Sequence, residues 1–199
     1  MKILCTADPH NDKKFIAGVN EIIKKEKIDV FICAGDFHTD KYADKLFKSV
    51  PVPSFAVPGN WDYGCYNDKK TQCSDFGIAE FGGYHFFMVG NNFPFNFDEI
   101  ALIRTKKIKS DKIIFITHYP PYGVLDRLWS GRHVGYPEFE KFIKAKKPLL
   151  HVFGHIHEDF GFKVTKGGTI CVNCSVTESR CGFIVDTDDV RSIKQVKVL

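Results

Sequence analysis

The sequence predicts an α/β fold in which parallel strands alternate with covering helices. Three observations lead there. Apolar runs alternate with amphipathic segments through the N-terminal part of the chain. Five of the apolar runs end in polar residues of the same few kinds. The last third changes to closely spaced strands with little helical patterning between them.

Ile3–Ala7 is a short apolar run, as a buried strand shows. Lys13–Lys27 follows with Phe15, Ile16, Val19, Ile22 and Ile23 at helical spacing. Asp29–Ala34 is a second strand and Thr39–Ser49 a second helix, with Tyr42, Ala43, Leu46 and Phe47 on one face. Pro53–Val57 is a third strand, so these are successive β-α-β units. Trp61–Gly77 is polar and turn-rich and reads as a loop over the site. Tyr84–Val89 reads as a strand, and Asp98–Ser110 as a helix with Ile100, Ile103 and Ile108 facing inward. Ile113–Thr117 is a further strand. Tyr119–Gly135 is long and rich in Pro, Gly and aromatics, which marks a functional loop. Pro137–Lys146 reads as a short helix and Leu149–Phe153 as a strand. Phe160–Thr165, Thr169–Asn173, Gly182–Asp186 and Ile193–Val198 read as antiparallel strands. No internal repeat or linker divides the chain, so residues 1–199 are expected to form a single domain.

Composition narrows the function classes. A chain of 199 residues can bury a core without staples, and 44% hydrophobic with 26% charged residues is ordinary for a soluble protein. The net charge of +4 is small and dispersed, which argues against nucleic acid or a membrane surface as partner. Lys106, Lys107 and Lys109 read as a solvated face. Seven cysteines, an odd number without regular spacing, argue against a disulfide framework and for a reducing compartment. The Cys171–Cys174 pair lies in strand-like TICVNCSV and reads as buried small side chains. MKILCTADPH is too short in apolar residues for a signal peptide, and no stretch reaches the roughly 20 residues that span a bilayer. A cytoplasmic location is expected.

The chemistry lies at the strand ends. Ile3–Ala7 leads into Asp8-Pro9-His10, and Val30–Ala34 into Gly35-Asp36. Phe55–Val57 leads into Pro58-Gly59-Asn60-Trp61-Asp62, Ile113–Thr117 into His118, and Leu149–Phe153 into Gly154-His155-Ile156-His157. Loops at the carboxyl ends of such strands gather in one cleft. Carboxylates, imidazoles and an amide together suit a pair of divalent ions, Mn first, with Fe, Zn, Ni, Co or Mg as alternatives. Asp36 is the expected bridge between the ions. Asp8, His10 and His157 would complete one site, and Asn60, His118 and His155 the other. Single Gly-Asp or Gly-His pairs are usually turns; the ordered series of five motifs is the signal.

That series resembles the calcineurin-like metallophosphoesterase superfamily. Thr117–Pro121, Asp126-Arg127, Ser130–Gly135 and Val152–Glu158 are most similar to its MPPED-like branch, alongside small bacterial and archaeal phosphodiesterases. The resemblance implies a four-layer α/β/β/α sandwich of two mixed sheets flanked by helices. It implies the same seven metal ligands and hydrolysis of a small phosphoester, a nucleotide being one option, by a hydroxide formed between the ions. Many members carry His in a G-N-H-D/E motif, where it contacts phosphate and protonates the leaving group; here that position is Trp61. Asp62 is expected to brace its loop, while Arg132 and His133 are the candidates to replace the missing acid. Asp36, Asn60, Asp62, His133 and Arg132 thus form the expected catalytic set. Trp61, Phe37 and Tyr119 flank the ligands and either stack an aryl group or wall the cleft. His151 is expected to pack within its strand, and His38 and His85 have no motif behind them.

The rival class is a protein-binding scaffold on the same fold, with little or no catalysis. Competent residues at all seven ligand positions weigh against it. A nuclease would need a capping domain or a basic track, and a protein phosphatase the motif histidine.

Overall fold

The structure, a computed structural model, describes the backbone of residues 1–199 and every side chain except that of Arg191. The N-terminal β-α-β pattern folds as read. β1 (Lys2–Thr6), β2 (Val30–Cys33) and β3 (Ser54–Ala56) run parallel, with Ile3 opposite Val30 and Phe31 opposite Ser54. α1 (Lys13–Glu26) and α2 (Asp40–Ser49) connect them. The Asp12 carboxylate accepts from the Lys14 amide at the start of α1, and Thr39 caps α2 in the same way.

One short strand arises where a loop was expected, and another in the unassigned stretch just after it. β4 (Thr71–Cys73) adds in parallel beside β3, and β5 (Gly77–Phe81) pairs antiparallel with β6 (Tyr84–Val89). β7 (Ile113–Thr117) and β8 (Leu150–Phe153) continue the second sheet in parallel. The helix before β7 is shorter than its apolar pattern suggested: α3 spans Phe97–Thr105. Its inner face is Phe97, Ala101 and Thr105, and Ile103 points outward at 71% exposure. Phe97 decides that rotation, because it stacks with Phe87 and Phe115 and meets Phe139 edge to face. Lys106, Lys107 and Lys109 are exposed beyond its end.

The C-terminal strands divide between the sheets. β9 (Gly161–Val164) is antiparallel to β10 (Ile170–Asn173), but β10 itself runs parallel to β8, against the antiparallel reading. After the short helix α5 (Val176–Ser179), β11 (Cys181–Asp186) returns as the antiparallel partner of β1, and β12 (Asp189–Lys197) pairs antiparallel with β11. The sheet orders are β12-β11-β1-β2-β3-β4 and β5-β6-β7-β8-β10-β9.

Alternation along the strands explains the layers. Ile3, Cys5, Ala7, Val30 and Ile32 from one sheet meet Phe86, Met88, Ile114, Ile116 and Val152 from the other. Leu4, Phe31 and Cys33 face away, onto Phe15, Val19, Leu46 and Phe47 of α1 and α2. Phe87, Phe115 and Phe153 pack against α3 and α4 (Pro137–Lys146). The result is helices, sheet, sheet, helices, the four-layer sandwich expected. Cys171 and Cys174 are buried beside β8, and all seven cysteines are free. His151 is buried; the Thr117 hydroxyl donates to the Tyr119 carbonyl, so the His151 Nε2–H donates to Thr117 Oγ1. Among the described residues, no helix is long and apolar enough to cross a membrane.

Candidate metal centre

The seven expected ligands all leave the carboxyl ends of β1, β2, β3, β7 and β8, on one edge of the two sheets. The backbone there is unusual. Asp8, His10, Asp36 and His155 adopt left-handed φ values of 57°, 44°, 63° and 69°. Non-glycine residues hold such conformations at a cost of order 1–3 kcal/mol each, and clusters of them mark functional sites. The surrounding hydrogen bonds over-determine these turns. The Asp8 amide donates to the Gly35 carbonyl and the His10 amide to the Asp36 carbonyl, locking the first two loops together.

Two glycines allow the close approach. A Cβ on Gly59 would lie 2.1 Å from Asp36 Oδ1, and one on Gly154 would lie 2.4 Å from Asp8 Oδ2. No larger residue fits at either position without displacing a carboxylate.

The donor atoms form two groups that share one carboxylate. His118 Nδ1 donates to the Ala34 carbonyl at 2.8 Å, so its Nε2 carries the lone pair. That Nε2 lies 2.8 Å from Asn60 Oδ1 and 3.5 Å from Asp36 Oδ1. On the other side, His10 Nε2 lies 4.0 Å from Asp36 Oδ2 and 3.3 Å from His157 Nε2, which is 4.0 Å from Asp8 Oδ2. Asp36 thus turns one oxygen to each group. Asp8 also approaches both, but its 3.8 Å neighbour on His118 is Nδ1, the nitrogen already committed to Ala34. His155 lies beside the first group, its ring centroid 5.0 Å from that of His118.

These atoms are poorly matched to one another and well matched to cations. Burial, and then the neighbouring Asp36 charge, push the Asp8 carboxyl well above its ordinary range; burial also raises Asp36. Asp8 Oδ2 accepts from the His155 amide, but buried Oδ1 closes no hydrogen bond, although nearby Ser175 favours its ionised form. Burial lowers His10, His118 and His155 to about 4, so each is neutral at pH 7 and offers a lone pair. A buried carboxylate oxygen without a partner and imidazole nitrogens facing other acceptors are what divalent ions satisfy.

The residues around the ligands sort themselves clearly. Asp62 accepts three backbone amides, those of Asp36 at 2.8 Å, His38 at 2.9 Å and Gly59 at 2.7 Å, and so ties the loops of Asp36 and Asn60 into one unit. Trp61 donates its amide to Asp36 Oδ1 at 3.0 Å, while its ring stacks on His38. Tyr119 stands edge-on to His155 and His118, and Phe37 is buried toward α2. His133 and Arg132 are not drawn into the donor groups. His133 Nδ1 bonds Asp126 Oδ1 at 2.5 Å, and Arg132 is exposed on the same flap.

Two residues escaped the sequence reading. His38 bonds His10 directly, and a Gly-Asp-x-His spacing that returns the chain to the ligand face was its signal. Asp126 is fully buried and accepts from the Gly123 and Gly135 amides as well as His133, which makes it the centre of the long flap.

Comparison with known proteins supplies the family and the fold. The calcineurin-like phosphoesterase family matches residues 1–159. The chain belongs to the calcineurin-like phosphoesterases. A UPF0046 protein of Caenorhabditis elegans is 25% identical over 210 residues, covering 88% of this chain and 69% of that protein. Human metallophosphoesterase domain-containing protein 1 is 45% identical over a shorter 67 residues, 32% of this chain and 20% of its own length. In structure, an archaeal phosphodiesterase superposes with a TM-score of 0.60 at 16% identity, covering 98% of this chain and 99% of that one. Within that family assignment, Asp8, His10 and His157, and Asp8, Asp36 and His118, are grouped closely enough to hold metal ions.

Proposed function

We propose that the chain is a dinuclear-metal-dependent phosphoesterase, one domain over residues 1–199, that hydrolyses phosphodiesters and aryl phosphomonoesters of small-molecule size, nucleotides included. The observation that supports this best is the division of Asp36, with Oδ1 toward His118 and Oδ2 toward His10. An archaeal phosphodiesterase of like fold suits the same reading. Asp8, His10, Asp36 and His157 would hold one ion, and Asp36, Asn60, His118 and His155 the other, with Mn2+ as the expected metal. Held there, such ions would supply charge neutralisation for the phosphate and a water of near-neutral pKa.

The chain's own residues do the rest. Ala34 and Asp62 keep His118, Asn60 and Asp36 in place before substrate arrives, which is where electrostatic catalysis gains most. Asp126 holds the Nδ1–H of His133, leaving Nε2 free at the partly exposed flap surface. His133, with Arg132 beside it, is assigned the proton that an alkoxide leaving group requires. An aryl oxide leaves without one. His133→Ala should therefore slow alkyl ester hydrolysis roughly 10²-fold or more while leaving aryl ester rates nearly unchanged; equal losses on both would remove His133 from that role. The free cysteines favour a reducing compartment.

The reading is tested by a substrate panel with Mn2+, using Asp36→Asn as control. Hydrolysis of an aryl phosphodiester by the wild type, falling roughly 10²–10³-fold in the variant, is expected. Equal rates would place the chemistry elsewhere, and no hydrolysis together with no ion binding would favour a scaffold.

A further inference from the structure

We propose that His38 is a positioning residue that sets the tautomer of His10, and that Trp61 holds it in place. The inference rests on the metal reading above. His10 Nδ1 and His38 Nε2 are 2.5 Å apart, with the rings edge to face at 73°. One proton lies between these nitrogens, and it belongs to one ring or the other. If His38 owns it, the proton of a neutral His10 sits on Nε2, aimed at His157 Nε2 at 3.3 Å and Asp36 Oδ2 at 4.0 Å. If His10 owns it, His10 Nε2 offers a lone pair to the group it shares with His157 and Asp36. Only the second arrangement makes His10 a ligand.

Histidine ligands generally give their remote N–H to a carboxylate, carbonyl or water, which raises their basicity and fixes the ring. His118 uses the Ala34 carbonyl for this. His10 has no carbonyl in that place and uses an imidazole. His38 is constrained on three sides to serve. Its backbone is left-handed at φ 73°, its amide donates to Asp62 Oδ1, and its ring face lies on Trp61 with centroids 4.9 Å apart. The Trp61 amide in turn bonds Asp36 Oδ1. The same two loops that carry Asp36 and Asn60 therefore also carry the acceptor for His10. Trp61 acts here as the cover over that acceptor.

Two measurements on the full chain test this. Long-range ¹⁵N–¹H NMR of the imidazoles, in metal-free protein and again with diamagnetic Zn2+, is expected to show His10 protonated at Nδ1. Calorimetric titration with Zn2+ is expected to show two ions in the wild type. In His38→Phe, which keeps a ring against Trp61 but has no acceptor, one of the two should weaken roughly 10–100-fold. His38→Gln, whose amide oxygen can accept the same proton, should restore it. His10 protonated at Nε2, or His38→Gln binding as weakly as His38→Phe, would overturn the proposal. If His38→Phe does not fold, the tautomer and the Gln variant still decide. A wild type that binds no ion would sink the metal reading instead, and the His10 tautomer in that protein would still decide the pairing.

Discussion

The two donor groups are built by different means. His118 is fully buried, and its remote nitrogen is held by a main-chain carbonyl at the end of β2. His10 is half-buried, and its remote nitrogen meets another side chain, covered by a tryptophan that is 58% exposed. Both groups reach Asp36, but one is anchored in the sheet core and the other is braced from the surface. Main-chain support moves only if the strand moves. Side-chain support can be lost by a single substitution that leaves the strands intact. The first group should therefore be robust to surface change, and the second is where affinity can be tuned.

Gly154→Ala places a Cβ 2.4 Å from both Ala7 Cβ and Asp8 Oδ2. Backbone at the β1 and β8 ends must shift, so a loss of about 1–3 kcal/mol in chemical denaturation is expected, with weakened binding of both ions. Unchanged stability would mean that the close packing at this edge is looser than described. Trp61→Ala should act on the braced side alone. It leaves the Trp61 amide bond to Asp36 in place and uncovers His38. Weakening of one ion by about 10-fold or less, with no change in the other, is the expected titration result; equal weakening of both would erase the distinction between the groups.

A smaller effect comes from behind the anchored group. His151 is buried against Phe115 and bonds Thr117, the residue before His118. Burial holds its pKa well below the ordinary value of 6.5. Above about pH 6.5 both folded and unfolded chains keep it neutral, and its contribution is constant. As pH falls below that, the unfolded chain takes up a proton that the folded chain refuses, so stability declines by up to about 1.4 kcal/mol per pH unit. Other buried histidines add to the same slope. His151→Gln should flatten the fall of denaturation midpoint between pH 6.5 and 5, and an unaltered slope would show that His151 is not a source of acid sensitivity.

Much of this was readable from the chain. The proposed ligands stood out because each follows an apolar run, and a strand end is where a polar side chain can escape the core. The layers were readable through strict alternation, as with Ile3 and Cys5 facing one sheet and Leu4 the helices. What failed was governed by contacts remote in sequence. Thr71–Cys73 and Gly77–Phe81 carry little apolar pattern and become strands because β3 and β6 offer them an edge. Ile103 lost its inward place to the stacking of Phe97. His38 looked isolated because its partners, His10 and Trp61, come from other loops. Arg132 and His133 were readable as a flap but not as to where that flap lies, and the flap's organiser, Asp126, shows only in its hydrogen bonds.

One carboxylate, Asp36, is proposed to join both groups. Electron paramagnetic resonance of the Mn2+-loaded chain tests it directly. Exchange-coupled ions are expected in the wild type, with the coupling lost in Asp36→Asn. The pattern of isolated Mn2+ in the wild type, or coupling that survives the substitution, would contradict the account.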